Sequence, residues 1–167
     1  MVGMRYLVRE RIFSIGEDFW VTDEQGDKIY LVDGKALSLR DTFELKDRSG
    51  AVLATVHKKL VAVRDTMEIE RDGAVIAKVK QALVSPLHHR SVIELTGGGG
   101  ELEAVGNVVD KEFEIRSGST VLAHISRSWF HVRDTYGVDV APGQDDALML
   151  AIAVCLDRIH EQDEHRH

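Results

Sequence analysis

Short runs of alternating apolar and polar residues, each broken by a Gly- or Asp-containing turn, fill most of this chain. Phe19 to Val32, Phe43 to Val56, Met67 to Val79 and Phe113 to Ile125 each carry two such runs around a central turn, the pattern of a β-hairpin. The central glycines Gly26, Gly50, Gly73, Gly97 and Gly118 lie 21 to 24 residues apart. That step suits successive hairpins of one meandering antiparallel sheet. It leaves no room for the helical crossover of a dozen or more residues that parallel strands need. With Tyr6 to Ile15 at the start and Thr135 to Val140 at the end, the pattern predicts about a dozen strands.

After Pro142-Gly143 the period changes. In QDDALMLAIAVCLDRI the acids fall in the first turn, where they complement the helix dipole, and strong helix formers follow. Leu148, Ile152, Cys155 and Ile159 share one face, but Met149, Leu150, Val154 and Leu156 occupy the others. A helix apolar all round must be buried all round. A dozen strands and one such helix, spanning about 144–160, predict a mainly β fold: a closed antiparallel barrel with the hydrophobic C-terminal helix through its centre. The lengths agree, since ~16 helical residues make ~24 Å and strands of ~7 residues reach ~23 Å. Residues 1–160 then form a single domain, and 161–167 a polar tail expected to be disordered.

The residues RYLVRERIFSIGEDFWVTDEQG, FELKDRSGAVLATVHKK and, above all, VRDTYGVDVAPGQDDALMLAIAVCLDRI resemble the LURP-one-related family, bacterial members included. More distantly the chain is similar to tubby C-terminal and phospholipid scramblase domains. The resemblance covers nearly the whole chain and implies a twelve-stranded barrel around a hydrophobic helix. It implies a phospholipid-binding or scramblase-like direction for function and transfers no individual binding residue.

Charge and composition narrow the picture. A formal charge of −7 opposes sequence-independent nucleic-acid binding, which relies on Lys and Arg neutralising phosphates. The single cysteine excludes an intrachain disulfide. The mixed opening MVGMRYLVRERIF lacks the apolar core of a secretory signal, and the longest apolar run, Ala147 to Leu156, is far short of the ~20 residues that span a bilayer. A cytoplasmic protein is expected, with no transmembrane segment and no cofactor.

Candidate chemistry is sparse. Arg-Asp-Thr occurs three times, at Arg40 to Thr42, Arg64 to Thr66 and Arg133 to Thr135. Asp and Thr suit strand starts, where their side chains satisfy local backbone N–H groups. Gly97 to Gly100 lack the Lys-Ser/Thr of a phosphate loop and lead into a strand pattern, so a hairpin loop is expected. The histidines, including His88, His89, His160, His165 and His167, fit no rigid metal site, and Cys155 sits in the apolar helix as a core residue. No catalytic or metal-ligating set emerges.

Positive charge gathers only between His57 and Arg90. There Lys58, Lys59, Arg64, Arg71, Lys78, Lys80 and Arg90 face Asp65, Glu68, Glu70 and Asp72. Lys78 and Lys80 share a strand face, and a neighbouring hairpin can bring Lys58 or Lys59 beside them. Such a group can hold an anionic headgroup by charge-assisted hydrogen bonds. The sequence thus predicts a non-enzymatic binding or interaction domain of undetermined ligand, either scaffolding an unknown protein partner or reading a small signal through its loops. The alternative is a peripheral anionic-phospholipid module at the inner membrane face, using Lys58, Lys59, Lys78 and Lys80.

Overall fold

The computed structural model describes residues 3–9, 18–34, 41–59, 66–81, 91–107, 110–129 and 134–166. Among them twelve strands precede one helix. The strands are β1 (Met4–Arg9), β2 (Asp18–Asp23), β3 (Lys28–Asp33), β4 (Asp41–Asp47), β5 (Val52–Lys58), β6 (Thr66–Arg71), β7 (Ala74–Gln81), β8 (Ser91–Leu95), β9 (Glu101–Asn107), β10 (Glu112–Ser117), β11 (Thr120–Ser126) and β12 (Thr135–Val140). The helix α1 spans Asp146–Arg166. Each strand pairs antiparallel with its neighbours in sequence, and β12 returns to β1 over Met4↔Val140 to Arg9↔Thr135, closing the barrel. Closure leaves no exposed sheet edge on which another chain could stack.

The two ends of the barrel differ. At one end β2–β3, β4–β5, β6–β7, β8–β9 and β10–β11 join through the predicted glycine turns. Asp72 and Gly73 both have positive φ (52° and 79°), the geometry of a two-residue turn whose twist matches the flanking strands. The Asp23 carboxylate accepts the amides of Gln25 and Asp27 at 2.9 Å, and Asp47 accepts those of Ser49 and Ala51 at 2.9 and 3.0 Å. The other connections, β1–β2, β3–β4, β5–β6, β7–β8, β9–β10 and β11–β12, leave from the opposite end.

Alternation along each strand fills the interior. Val8, Val21, Val32, Phe43, Val56, Ile69, Val79, Ile93, Ile115 and Val138 are completely buried. They pack on α1, where Ala147, Met149 to Leu156 and Ile159 are buried in turn. The helix begins at the turn end, capped by Asp145, whose carboxylate accepts the Leu148 amide at 3.1 Å. It reaches the opposite end by Asp157, which meets Lys111 just ahead of β10. The helix continues to Arg166, beyond residue 160 where the apolar pattern stops, because backbone hydrogen bonding needs no apolar side chain to propagate.

The Arg-Asp-Thr copies open strands: Asp41 begins β4, Thr66 begins β6 and Thr135 begins β12. Thr66 and Thr135 are buried. Arg40, Arg64, Asp65 and Arg133 lie outside the described residues. β12 departs furthest from simple alternation, being buried along its whole length. Its outer side is covered in part by Arg5 and Trp129, described below.

Candidate functional site

The outer wall of β5 to β8 brings together three of the four lysines singled out in the sequence. Cross-strand register places His57, Glu68, Lys78, Glu94 and Glu101 in one row across β5 to β9. Lys80 lies two residues along from Lys78, opposite Val92, and exposed Lys59 follows β5 with its amide on the Thr66 carbonyl at 2.9 Å. The Lys80 ammonium donates to Glu94 Oε1 at 2.8 Å, with both side chains over one-third exposed. That hydrogen bond holds the Glu94 carboxyl below the usual carboxylate range, and the positive charges of Lys78 and Lys59 push the same way. Lys59, Lys78 and Lys80 therefore focus positive potential on one carboxylate. Lys58 falls elsewhere: it is in register with buried Met67 and two residues on from buried Val56, so it shares the inward side of β5.

At the turn end, polar groups anchor the helix entry. Arg71 makes a bidentate pair with Asp145 at 2.7 and 3.2 Å and donates Nε to the Leu53 carbonyl at 3.2 Å. Burial alone would raise the Asp145 carboxyl, but Arg71 and the Leu148 amide outweigh it and hold it low. Tyr6 donates its hydroxyl to Asp146 and packs its ring against Tyr30 at 5.7 Å. Burial, followed by the Asp146 bond, pushes the Tyr6 phenol far above its ordinary value, so it stays a neutral donor. These groups are engaged with one another, tying β1, β3 and β6 to the start of α1.

At the other end, Lys111 and Asp157 form an ion pair at 2.9 Å with side chains only 5% and 6% exposed. Nearby, Ser126 Oγ donates to Glu112 at 2.8 Å, but Glu112 also accepts the Arg127 amide at 3.0 Å and Ser126 is 1% exposed. This serine–carboxylate contact pins the chain leaving β11 and offers no accessible nucleophile. Trp129 then reaches across the outer wall, 4.4 Å over the Arg5 guanidinium and edge-on to His124 at 4.9 Å. Arg5 also pairs with Asp139 of β12 at 3.4 Å. Neither cluster was visible in the sequence, because each joins residues remote in the chain.

The remaining sequence candidates take structural places. Gly97 to Gly100 form the β8–β9 hairpin loop, tied down by Thr96 through its amide to Ile76 (3.0 Å) and its hydroxyl to Val75 (2.5 Å). Cys155 is fully buried, and His57 pairs with Glu70 at 3.1 Å. His88, His89, His131 and His167 lie outside the described residues. Among the described residues no group of three or more His, Cys, Asp or Glu is arranged to hold a metal, and no helix is long and apolar enough to cross a membrane.

A twelve-stranded antiparallel barrel closed around a buried helix is the tubby-like class of fold. Within that class the chain belongs to the LURP-one-related family, whose model matches residues 4–157. Among solved structures it is similar to the X-ray structure of a protein from Arabidopsis thaliana, with a TM-score of 0.69 at 18% identity, covering 94% of this chain and 91% of that one. At that identity the likeness concerns the fold. No curated protein matches.

Proposed function

We propose that this protein is a non-enzymatic binding domain: a rigid, filled barrel that displays its outer wall and longer connections to another macromolecule in the cytoplasm. The filled interior supports this reading. Leu150, Ile152 and Cys155 are fully buried among barrel side chains, occupying the volume where a carrier of this shape would hold its ligand. Partner contacts then fall to the outside, and the end from which six connections leave has the longer lengths of chain between strands, where binding residues concentrate.

Site-specific photo-crosslinking in the native cell tests the reading. A crosslinker at exposed Asp110 or Arg127, beside those connections, is expected to trap a discrete protein, while one at Ser119 on the turn end is not. Equal labelling from all three positions, or none from any, contradicts it.

Lys80 hydrogen-bonded to Glu94 and Lys78 in register opposite it favour one second reading, a peripheral module for anionic phospholipid at the inner membrane face. Co-sedimentation with vesicles containing anionic lipid, compared with a Lys59, Lys78, Lys80 triple alanine variant, decides it. Pelleting of the wild-type chain alone supports the reading; equal, negligible pelleting of both removes it.

A further inference from the structure

We propose that Glu94 is a built-in counter-ion occupying an anion seat formed by Lys59, Lys78 and Lys80, and that a phosphate-type anion binds there by displacing it. The inference rests on the second reading above and adds how that surface is gated.

Lys78 stands between two glutamates, Glu68 on β6 and Glu94 on β8, so its charge is shared. Lys80 stands between Thr66 and Val92, neither of which carries charge, and reaches diagonally to Glu94 at 2.8 Å. Glu94 thus receives a direct hydrogen bond from one lysine and the field of two more. A carboxylate held this way reports a local positive potential that another oxyanion would also feel. Lys80 on Glu94 directly and Lys78 opposite it in register, with Lys59 adding its field, suit the several oxygens of a phosphoryl group better than the two of a carboxylate, because each nearby ammonium can take its own acceptor. In the resting protein the seat is filled from within. Its exposure, with Lys80 and Glu94 over one-third accessible, lets the Glu94 side chain rotate away without disturbing the barrel.

The test is Glu94→Gln, which preserves shape and removes the competing charge. Inositol hexakisphosphate titrated calorimetrically against the full chain probes the free anion. Vesicles of phosphatidylcholine with and without phosphatidic acid probe a headgroup. Glu94→Gln is expected to tighten binding about two- to fivefold, the range commanded by one screened surface contact, with the gain fading at high salt. Adding Lys80→Ala should cancel the gain. Glu101→Gln removes the same formal charge from exposed Glu101, the cross-strand neighbour of Glu94 on β9, and is expected to change affinity by less than about 1.5-fold. A gain confined to the vesicles identifies the headgroup as the source; a gain with both probes identifies the phosphoryl group itself. An equal gain from Glu101→Gln reduces the effect to net charge and overturns the seat. Wild-type binding that Glu94→Gln leaves unchanged overturns the gate while leaving the lipid reading standing. No binding by either protein removes both, and the protein-partner reading is unaffected. Unchanged thermal midpoints confirm that each variant is folded.

Discussion

Replacing Lys111 with methionine strands the Asp157 carboxylate near the end of the barrel where α1 emerges, and replacing Asp157 with leucine removes the carboxylate that the Lys111 ammonium meets there. The partners are 2.9 Å apart and 6% and 5% exposed. At an effective dielectric near 20, that separation corresponds to an attraction of about 6 kcal/mol. Withdrawing both ions from water costs several kcal/mol each, so the net contribution of the intact pair is near zero. Either single substitution removes the attraction but leaves the other ion desolvated, and is expected to cost about 3–5 kcal/mol. The double variant Lys111→Met, Asp157→Leu removes both ions and is expected to fall within about 1 kcal/mol of wild type, or above it. Equilibrium urea unfolding reads all three. With a slope of about 1–3 kcal/mol per molar, each single variant shifts the midpoint down by 1 M or more, and the double restores it. Single variants that lose less than about 1 kcal/mol, or a double whose loss is the sum of the singles, would refute the claim that this is a buried, mutually dependent pair.

Three further outcomes follow from the same contacts. Arg71→Gln removes a group that keeps the Asp145 carboxyl low. A carboxyl lowered on folding stabilises above its unfolded pKa of about 3.9, and that stabilisation disappears as pH falls through the folded value. Because the Asp145 side chain is 39% exposed, the loss at pH 7 is expected to be only about 0.5 kcal/mol, shrinking in acid; unfolding titrations showing a loss that grows below pH 4 would contradict this. Gly106→Ala places a methyl 2.7 Å from the Glu112 carbonyl oxygen at a φ of 132°, and should cost about 1–3 kcal/mol by thermal unfolding, whereas an unchanged midpoint would rule out the close approach of β9 to β10. Ile152→Asp buries an unpaired carboxylate at the centre of the barrel and should abolish cooperative folding by circular dichroism; a folded variant of wild-type stability would be incompatible with a threaded helix.

The architecture was legible because its signals are local. Turn glycines such as Gly26, Gly50, Gly73 and Gly118 mark hairpins through backbone geometry that few other residues adopt. The helix betrays its position by being apolar on every side from Ala147 to Leu156. The candidate surface was partly legible. Lys78 and Lys80 share a face by simple alternation, but Glu94 enters their cluster only through the β7–β8 register, which hydrophobic pattern alone does not fix. Counting from buried Ala54 and Val56 places Lys58 on the inner side; its position at the strand end hides this, since a lysine beside another lysine looks solvated. Lys111 sits in a polar turn sequence and Asp157 near a polar helix end, so neither advertises burial before the fold joins them. The same holds for Arg5 and Trp129, which meet only because β12 closes on β1.

Helix α1 runs inside the barrel and fills it. Cys155 is the lone thiol of the chain and lies fully buried on that helix, so its reaction rate with an aromatic disulfide in native buffer reports directly on the helix's placement. Cys155 is expected to react only through global opening, at a rate several orders of magnitude below that of an exposed thiol and rising with urea in step with unfolding. Prompt labelling of the native chain, with circular dichroism unchanged, would contradict it.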